Sequence, residues 1–132
     1  MDMPVAIDTS VLVHAERSGE FENLLPDDEG LFYIPAHAAA EFLVGAHLPK
    51  SAHLRERARS IYENRFKLLV DLFDENDAAQ MALLISELRK SGRQMGFFDA
   101  AIAATVMARG DSLLCLDGDF DRLAEKINLL KP

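Results

Sequence analysis

Five short apolar runs punctuate the chain: Val5-Ala6-Ile7, Leu31-Phe32-Tyr33-Ile34, Leu68-Leu69-Val70, Leu113-Leu114-Cys115-Leu116 and Asn128-Leu129-Leu130. None shows the sustained polar alternation of a strand with one wet face, and continuous apolar runs suit strands covered on both sides, as in a parallel sheet. The stretches between them read as helices. From Asp77 to Lys90, Met81, Leu84, Ile85 and Leu88 recur at helical spacing, and Gly92 supplies a stop. Ser51 to Phe66 places Leu54, Ala58, Ile61 and Tyr62 on one stripe, with Arg55, Arg57, Arg59 and Arg65 elsewhere around it. Val11 to Arg17, Ala36 to His47 and Asp99 to Arg109 are further helices, the last two apolar on nearly every side and so expected to be buried. Strands separated by helices predict an α/β fold, three layers deep (α/β/α), around a mostly parallel five-stranded sheet.

A chain of 132 residues with 49% hydrophobic and 27% charged residues is read as one folded domain spanning 1–132, which excludes disordered and low-complexity classes. The candidate loops at Pro26 to Gly30, Pro49-Lys50, Ser91 to Arg93 and Asp117 to Asp119 are too short to serve as linkers between separate domains. The longest uncharged apolar run, Ala100 to Ala108, is about half of what a bilayer requires. Met1 to Pro4 offers no signal-peptide pattern, so the expectation is a cytoplasmic protein without membrane contact. The lone Cys115 removes intrachain disulfides and zinc sites built on two thiolates. With 14 Lys and Arg against 22 Asp and Glu, the charge of −8 repels polyanions at long range.

The acids fall where an α/β fold places ligands. Asp8 directly follows the first strand and Asp117 the fourth, both at the carboxyl edge of a parallel sheet. Asp99 opens the helix leading into the fourth strand and so lies at the same rim. Glu41 follows Pro35 by six residues, roughly one to two turns down its helix, and can still face the crevice. Four converging carboxylates raise one another's pKa unless a cation sits among them. Oxygen-only donors at an open rim suit Mg²⁺ or Mn²⁺, the ions of phosphodiester hydrolysis.

Taken singly, each acid has a plainer reading. Asp8 or Ser10 can cap the helix at Val11, Asp99 can cap its own helix, and Asp117-Gly118 is a turn signal. Glu41 is harder to dismiss, because it sits within Ala38-Ala39-Ala40-Glu41-Phe42-Leu43-Val44, and His37 four residues back is one candidate partner, as a structural pair or alternatively as a metal ligand. His14, His47 and His53 show no zinc-protease spacing, and the glycines are too dispersed for a phosphate cradle. A nucleophile elbow is missing, and a receiver-domain reading lacks a clear lysine partner at the strand end after Leu116.

Asp8-Thr9-Ser10 after an opening strand, Ala40-Glu41-Phe42-Leu43-Val44-Gly45-Ala46, and Gly96-Phe97-Phe98-Asp99-Ala100-Ala101-Ile102-Ala103-Ala104 followed by Leu116-Asp117-Gly118-Asp119-Phe120 together resemble the PilT N-terminus (PIN) domain. The likeness is strongest to the VapC toxins of toxin–antitoxin pairs and spans nearly the whole chain. It implies a Mg²⁺- or Mn²⁺-dependent endoribonuclease in which Asp8, Glu41, Asp99 and Asp117 bind metal, Asp119 contributes and Ser10 is accessory. It also implies a homodimer, an RNA substrate, and a small antitoxin whose C-terminal segment directs a basic residue into the acidic site. Many relatives carry threonine two residues before the fourth acid, where this chain has Cys115. Arg55, Arg59, Arg65 and Arg93 are the candidate RNA contacts, with a solvated helix surface as the equal alternative. The competing function is a non-catalytic module that keeps the fold while its acids serve folding or a partner.

Overall fold

The structure, a computed structural model, describes residues 4–26 and 31–132, so most of the Pro26 to Gly30 loop lies outside the described residues. Its centre is β1 (Val5–Ile7), flanked by β2 (Phe32–Pro35) and β4 (Ser112–Leu114), with β3 (Val70–Asp71) and β5 (Asn128–Leu130) at the edges. The order is β3-β2-β1-β4-β5, and all the pairings are parallel, where the sequence predicts only a mostly parallel sheet. Val5 stands opposite both Phe32 and Ser112, and Ile7 opposite Leu114. The two central strands β1 and β4 are buried at every residue, as continuous apolar runs require.

Five helices complete the α/β/α layers: α1 (Thr9–Ser18), α2 (Ala36–His47), α3 (Ala52–Ile61), α4 (Glu75–Lys90) and α5 (Phe97–Arg109). α1, α2 and α3 pack on one another, while α4 packs along α5, which also meets α2. Ala100 through Val106 are all buried in α5, so its small residues admit neighbours on nearly every side. α4 begins in a capping box: the Asp74 carboxylate accepts from the Asp77 N–H at 2.9 Å and the Asp77 carboxylate from the Asp74 N–H at 3.0 Å. It ends at Lys90, and Gly92 adopts φ +71°, the left-handed turn for which glycine is suited.

Two local expectations are corrected. The predicted helix Ser51 to Phe66 stops at Ile61, gives way to a π-turn over Tyr62–Phe66, and then to a 3₁₀ turn over Lys67–Leu69. The wider turn absorbs an extra residue and carries Phe66 fully into the core against Phe21 and Phe42, with ring centroids 5.1 and 5.2 Å away. The predicted strand Leu68 to Val70 accordingly keeps only Val70 and extends to Asp71, leaving Leu68 93% exposed.

The edge strand is locked by charge. Arg109 at the end of α5 donates to Asp77 at 3.0 Å, to Asp71 at 2.9 Å and to the Leu72 carbonyl at 2.7 Å, and its guanidinium lies 5.1 Å from the Tyr33 ring centre. Asp77 is fully buried, so its carboxylate depends on this partner and on the cap. The Tyr33 hydroxyl donates to Asp111 at 2.7 Å, and burial together with that carboxylate holds its phenol far above the usual range. Arg109→Ala is therefore expected to lower unfolding free energy by about 3 kcal/mol. Adding Asp77→Asn restores some of that loss, as urea denaturation of the single and double variants checks.

Candidate functional site

Because β2 lies on one side of β1 and β4 on the other, the chain reverses direction of travel at β1, and the crevice beyond the carboxyl ends of β1 and β4 is the place where such sheets receive ligands. Asp8 directly follows β1, whereas β4 ends at Leu114 and not at the expected Leu116, so Asp117 stands three residues past its strand in the loop beyond the same edge. An open cleft of about 420 Å³ is lined by Asp8, Thr9, Ser10, Val13, Glu41, Asp99, Asp117 and Asp119. The structure thus brings together all five acids singled out in the sequence, and Ser10 with them. No Lys, Arg or His side chain is among the described residues lining it.

Each acid is positioned by a local rule. Asp8 is the N-cap of α1, with its carboxylate accepting from the Ser10 N–H at 3.2 Å and the Ser10 hydroxyl at 2.6 Å. The capping reading and the ligand reading of Asp8 therefore describe one side chain. The Ser10 hydroxyl also accepts from the Leu116 N–H at 3.0 Å, and the Asp8 N–H donates to the Leu114 carbonyl at 2.9 Å, so the ends of β1 and β4 are stitched to each other. Asp99 does not cap its helix. Gly96 occupies the cap position without a side chain, which leaves Asp99 in the first turn of α5 and in the cleft. Asp117 accepts from the Asp119 N–H at 3.3 Å, folding the loop so that both acids line the same cleft. Glu41 sits about one and a half turns into α2, half-buried. His37 makes no hydrogen bond or ion pair with it among the described residues. Instead its ring meets Phe73 at 4.6 Å and Phe97 at 5.6 Å, and burial pulls its pKa down.

Like charge accumulates here and raises proton affinity. Burial, opposed by the Ser10 hydrogen bonds and reinforced by Asp117, pushes the Asp8 carboxyl up to about 6. Burial followed by the charges of Asp119, Glu41, Asp8 and Asp117 pushes Asp99 up to about 6 as well. Thr9 lines this cleft, and its hydroxyl, buried behind the wall, finds no hydrogen-bond partner among the described residues. An all-oxygen donor set and excess negative charge fit a hard divalent cation. Among the described residues no group of three or more His, Cys, Asp or Glu side chains stands close enough together to hold a metal ion as placed. The cleft is an open dish, in keeping with ions that retain several waters and take only a few protein carboxylates.

Sequence reasoning missed Thr9 and Lys131. Lys131, just past β5, donates to the Asp117 carbonyl at 2.7 Å and lies 3.6 Å from the Cys115 sulfur and 4.0 Å from Asp121, tethering the loop that carries two acids. Cys115 itself is fully buried, and burial pushes its thiol up. The candidate RNA contacts lie elsewhere. Arg55 donates to the Pro49 and Lys50 carbonyls, Arg59 pairs with Glu56 and Arg65 with Glu22, and none of them lines the acidic cleft. Arg93 lines a separate cleft beside the N-terminal end of α5.

No helix among the described residues is long and apolar enough to cross a membrane. No curated protein matches the sequence. Among solved structures, the fold is similar to that of VapBC2 from Rickettsia felis bound to a DNA fragment from its promoter, with TM-score 0.78, 18% identity, and 98% of this chain and 99% of that one covered. It is also similar to VapBC-5 from Mycobacterium tuberculosis, at TM-score 0.76, 24% identity and 98% and 97% coverage. DNA-bound VapBC from Salmonella typhimurium gives TM-score 0.75, 19% identity and 98% coverage of both. Those identities speak for the fold. The sequence speaks for more, because residues 5–126 match the family model of the PIN domain, a span that holds every acid of the cleft. The chain belongs to the PIN domain family.

Proposed function

We propose that this protein is an endoribonuclease dependent on Mg²⁺ or Mn²⁺ and acts as the VapC-type toxin of a toxin–antitoxin pair. The observation that carries the reading is the gathering of five carboxylates in one cleft without a cationic side chain among its described lining residues, with the Asp8 and Asp99 carboxyls pushed up to about 6 by burial and by neighbouring carboxylates. Membership of the PIN family and the likeness to VapBC toxin–antitoxin complexes support it.

In this reading Asp8, Glu41, Asp99 and Asp117 hold the metal, and Asp119 contributes. The chemistry that a bound divalent ion would supply there is an acidified water and charge neutralisation at the scissile phosphate. Everything else falls to the chain. Ser10 holds the Asp8 carboxylate in one orientation by its 2.6 Å hydrogen bond and ties it to the Leu116 backbone. Lys131 holds the Asp117 carbonyl, and with it the loop bearing Asp117 and Asp119. Without a cation the dish repels phosphate, so substrate affinity depends on ion loading.

A second cleft of about 260 Å³ between α1, α2 and α3 shares Val13 and Glu41 with the acidic one and is lined by Phe42, Ala46, Leu54 and Arg57. This continuity supports an antitoxin segment that lies along the groove and enters the acidic cleft with a basic side chain. The protein is proposed to work as a homodimer, which sedimentation of the purified chain tests.

The deciding experiment compares cleavage of RNA and of single-stranded DNA in Mg²⁺, in Mn²⁺ and in chelator, for the parent and for Asp8→Asn. Expected are RNA cleavage only with metal and a loss of at least about 100-fold in the variant. Metal-independent cleavage, or cleavage that ignores the substitution, would exclude the mechanism.

A second expectation concerns stability. The Asp8 and Asp99 carboxyls titrate near 6 in the folded chain against an ordinary 3.8, so the folded state holds more protons between those values. Their contribution favours folding fully below 3.8 and is lost as pH rises through about 6. Asparagine also caps helices and carries no charge. Metal-free Asp8→Asn is therefore expected to melt above the metal-free parent, by a margin that widens as pH rises from about 5 to about 7.5. Mg²⁺ raises the melting temperature of the parent at the upper pH and raises that of the variant far less, as calorimetry with and without the ion checks.

A further inference from the structure

Of the nine arginines of the chain, five are engaged within the molecule, while Arg17, Arg89, Arg93 and Arg122 are exposed and make no ion pair or side-chain hydrogen bond among the described residues. Arg55, Arg57, Arg59, Arg65 and Arg109 spend their guanidinium groups on carboxylates or carbonyls of the same molecule. The same exposure and lack of a partner among the described residues hold for Lys90, between Arg89 and Arg93. Two of these three have a plain cause, since Arg89 and Lys90 stand in the last turn of α4, where the helix dipole favours cations. Arg93 does not share it. It lies beyond the left-handed Gly92 and lines a cleft of about 280 Å³ together with Arg89, Gln94, Ile85, Met95 and Phe97.

Phe97 is the second anomaly. It is the first residue of α5 and is 63% exposed, although its edge contacts with His37 and Phe98, both 5.6 Å between centroids, hold the ring in place. A fixed, exposed aromatic ring beside two unpaired guanidinium groups matches the chemistry that captures a single-stranded nucleotide: a π face for any base and forked donors for phosphate. Its place is equally specific. Phe97 and Asp99 share the first turn of α5, two residues and so about 200° apart around the axis, with Asp99 in the acidic cleft and Phe97 in this one. A strand crossing the N-terminal end of α5 meets both.

We propose that the cleft formed by Arg89, Arg93 and Phe97 is a subsite for an unpaired nucleotide of the RNA whose scissile phosphate enters the acidic cleft, with the base stacked on Phe97 and a flanking phosphate held by Arg93 and Arg89. This rests on the nuclease reading above and assigns a substrate contact to residues outside the carboxylate set. It also answers the charge difficulty, since a chain at −8 places free cations beside the site rather than within it.

The test is steady-state cleavage of a short single-stranded RNA in Mg²⁺ at several salt concentrations. Phe97→Ala is expected to raise KM by about tenfold with kcat unchanged, and Phe97→Tyr to restore it. Arg93→Ala raises KM and lowers the slope of log KM against log salt by about 0.7. Arg59→Ala, whose guanidinium is already paired, alters neither. Unchanged KM in both Phe97→Ala and Arg93→Ala, with the parent cleaving, overturns the subsite and leaves the nuclease reading standing. A parent chain that cleaves no RNA in either metal overturns both. Sedimentation of each variant supplies the remaining arm: a fall in mass for Phe97→Ala assigns the face to contact between copies and overturns the proposal.

Discussion

Carboxylates repel one another, and this fold holds five of them around one opening with no neutralising side chain among the described lining residues. The force that keeps them there is supplied from beneath. Ile7 and Leu114, fully buried partners in adjacent central strands, fix the distance between the two strand ends beyond which Asp8 and Asp117 lie. The apolar body of α5 is buried from Ala100 to Val106, which sets the position of Asp99 in its first turn. Burial of apolar surface is the large stabilising term in a fold of this size, so it can sustain a local electrostatic cost of a few kcal/mol. The result is a rim whose ionisation state answers to whatever cation is present.

The distribution of positive charge follows the opposite rule. α3 carries four arginines in its vicinity, yet Glu16, Glu22 and Glu56 neutralise three of them and the carbonyls after α2 occupy the fourth. A basic stripe in the sequence therefore becomes a self-satisfied surface that joins α3 to α1 and to the turn before β2. Surface pairs of this kind add little stability each. Their larger effect is to remove those charges from long-range attraction, which leaves the end of α4 among the places, with Arg17 and Arg122, where arginines stand free among the described residues.

Much of the architecture was legible in the primary structure, for local reasons. Strands β1 and β5 have the predicted bounds, and α2 runs from Ala36 to His47 as read, because Pro35 ends the strand before it and Pro49 follows. The failures have nonlocal causes. Nothing in the spacing around Tyr62 announces that Phe66 must reach Phe21 and Phe42, which arrive from distant segments, so the π-turn was invisible. Leu68 looks like core and is exposed, since an apolar residue in a turn has no sheet to face. β4 begins one residue earlier than the apolar run because Ser112 is buried with its hydroxyl accepting from Asn128 at 2.8 Å. Within the site the acids and Ser10 could be read because each lies at or shortly past a strand end or on a helix leaving the rim. Thr9 and Lys131 could not, as their roles exist only once the cleft is closed.

The stitch between Ser10 and Leu116 joins positions 106 residues apart. During synthesis, a ribosome-bound intermediate that has emerged only as far as α4 lacks β4 and the loop bearing Asp117 and Asp119, so it possesses strands, helices and two of the acids but no cleft. Assembly of the rim thereby waits until β4 and the loop after it have emerged, and a polypeptide stalled before that point lacks the acidic cleft altogether.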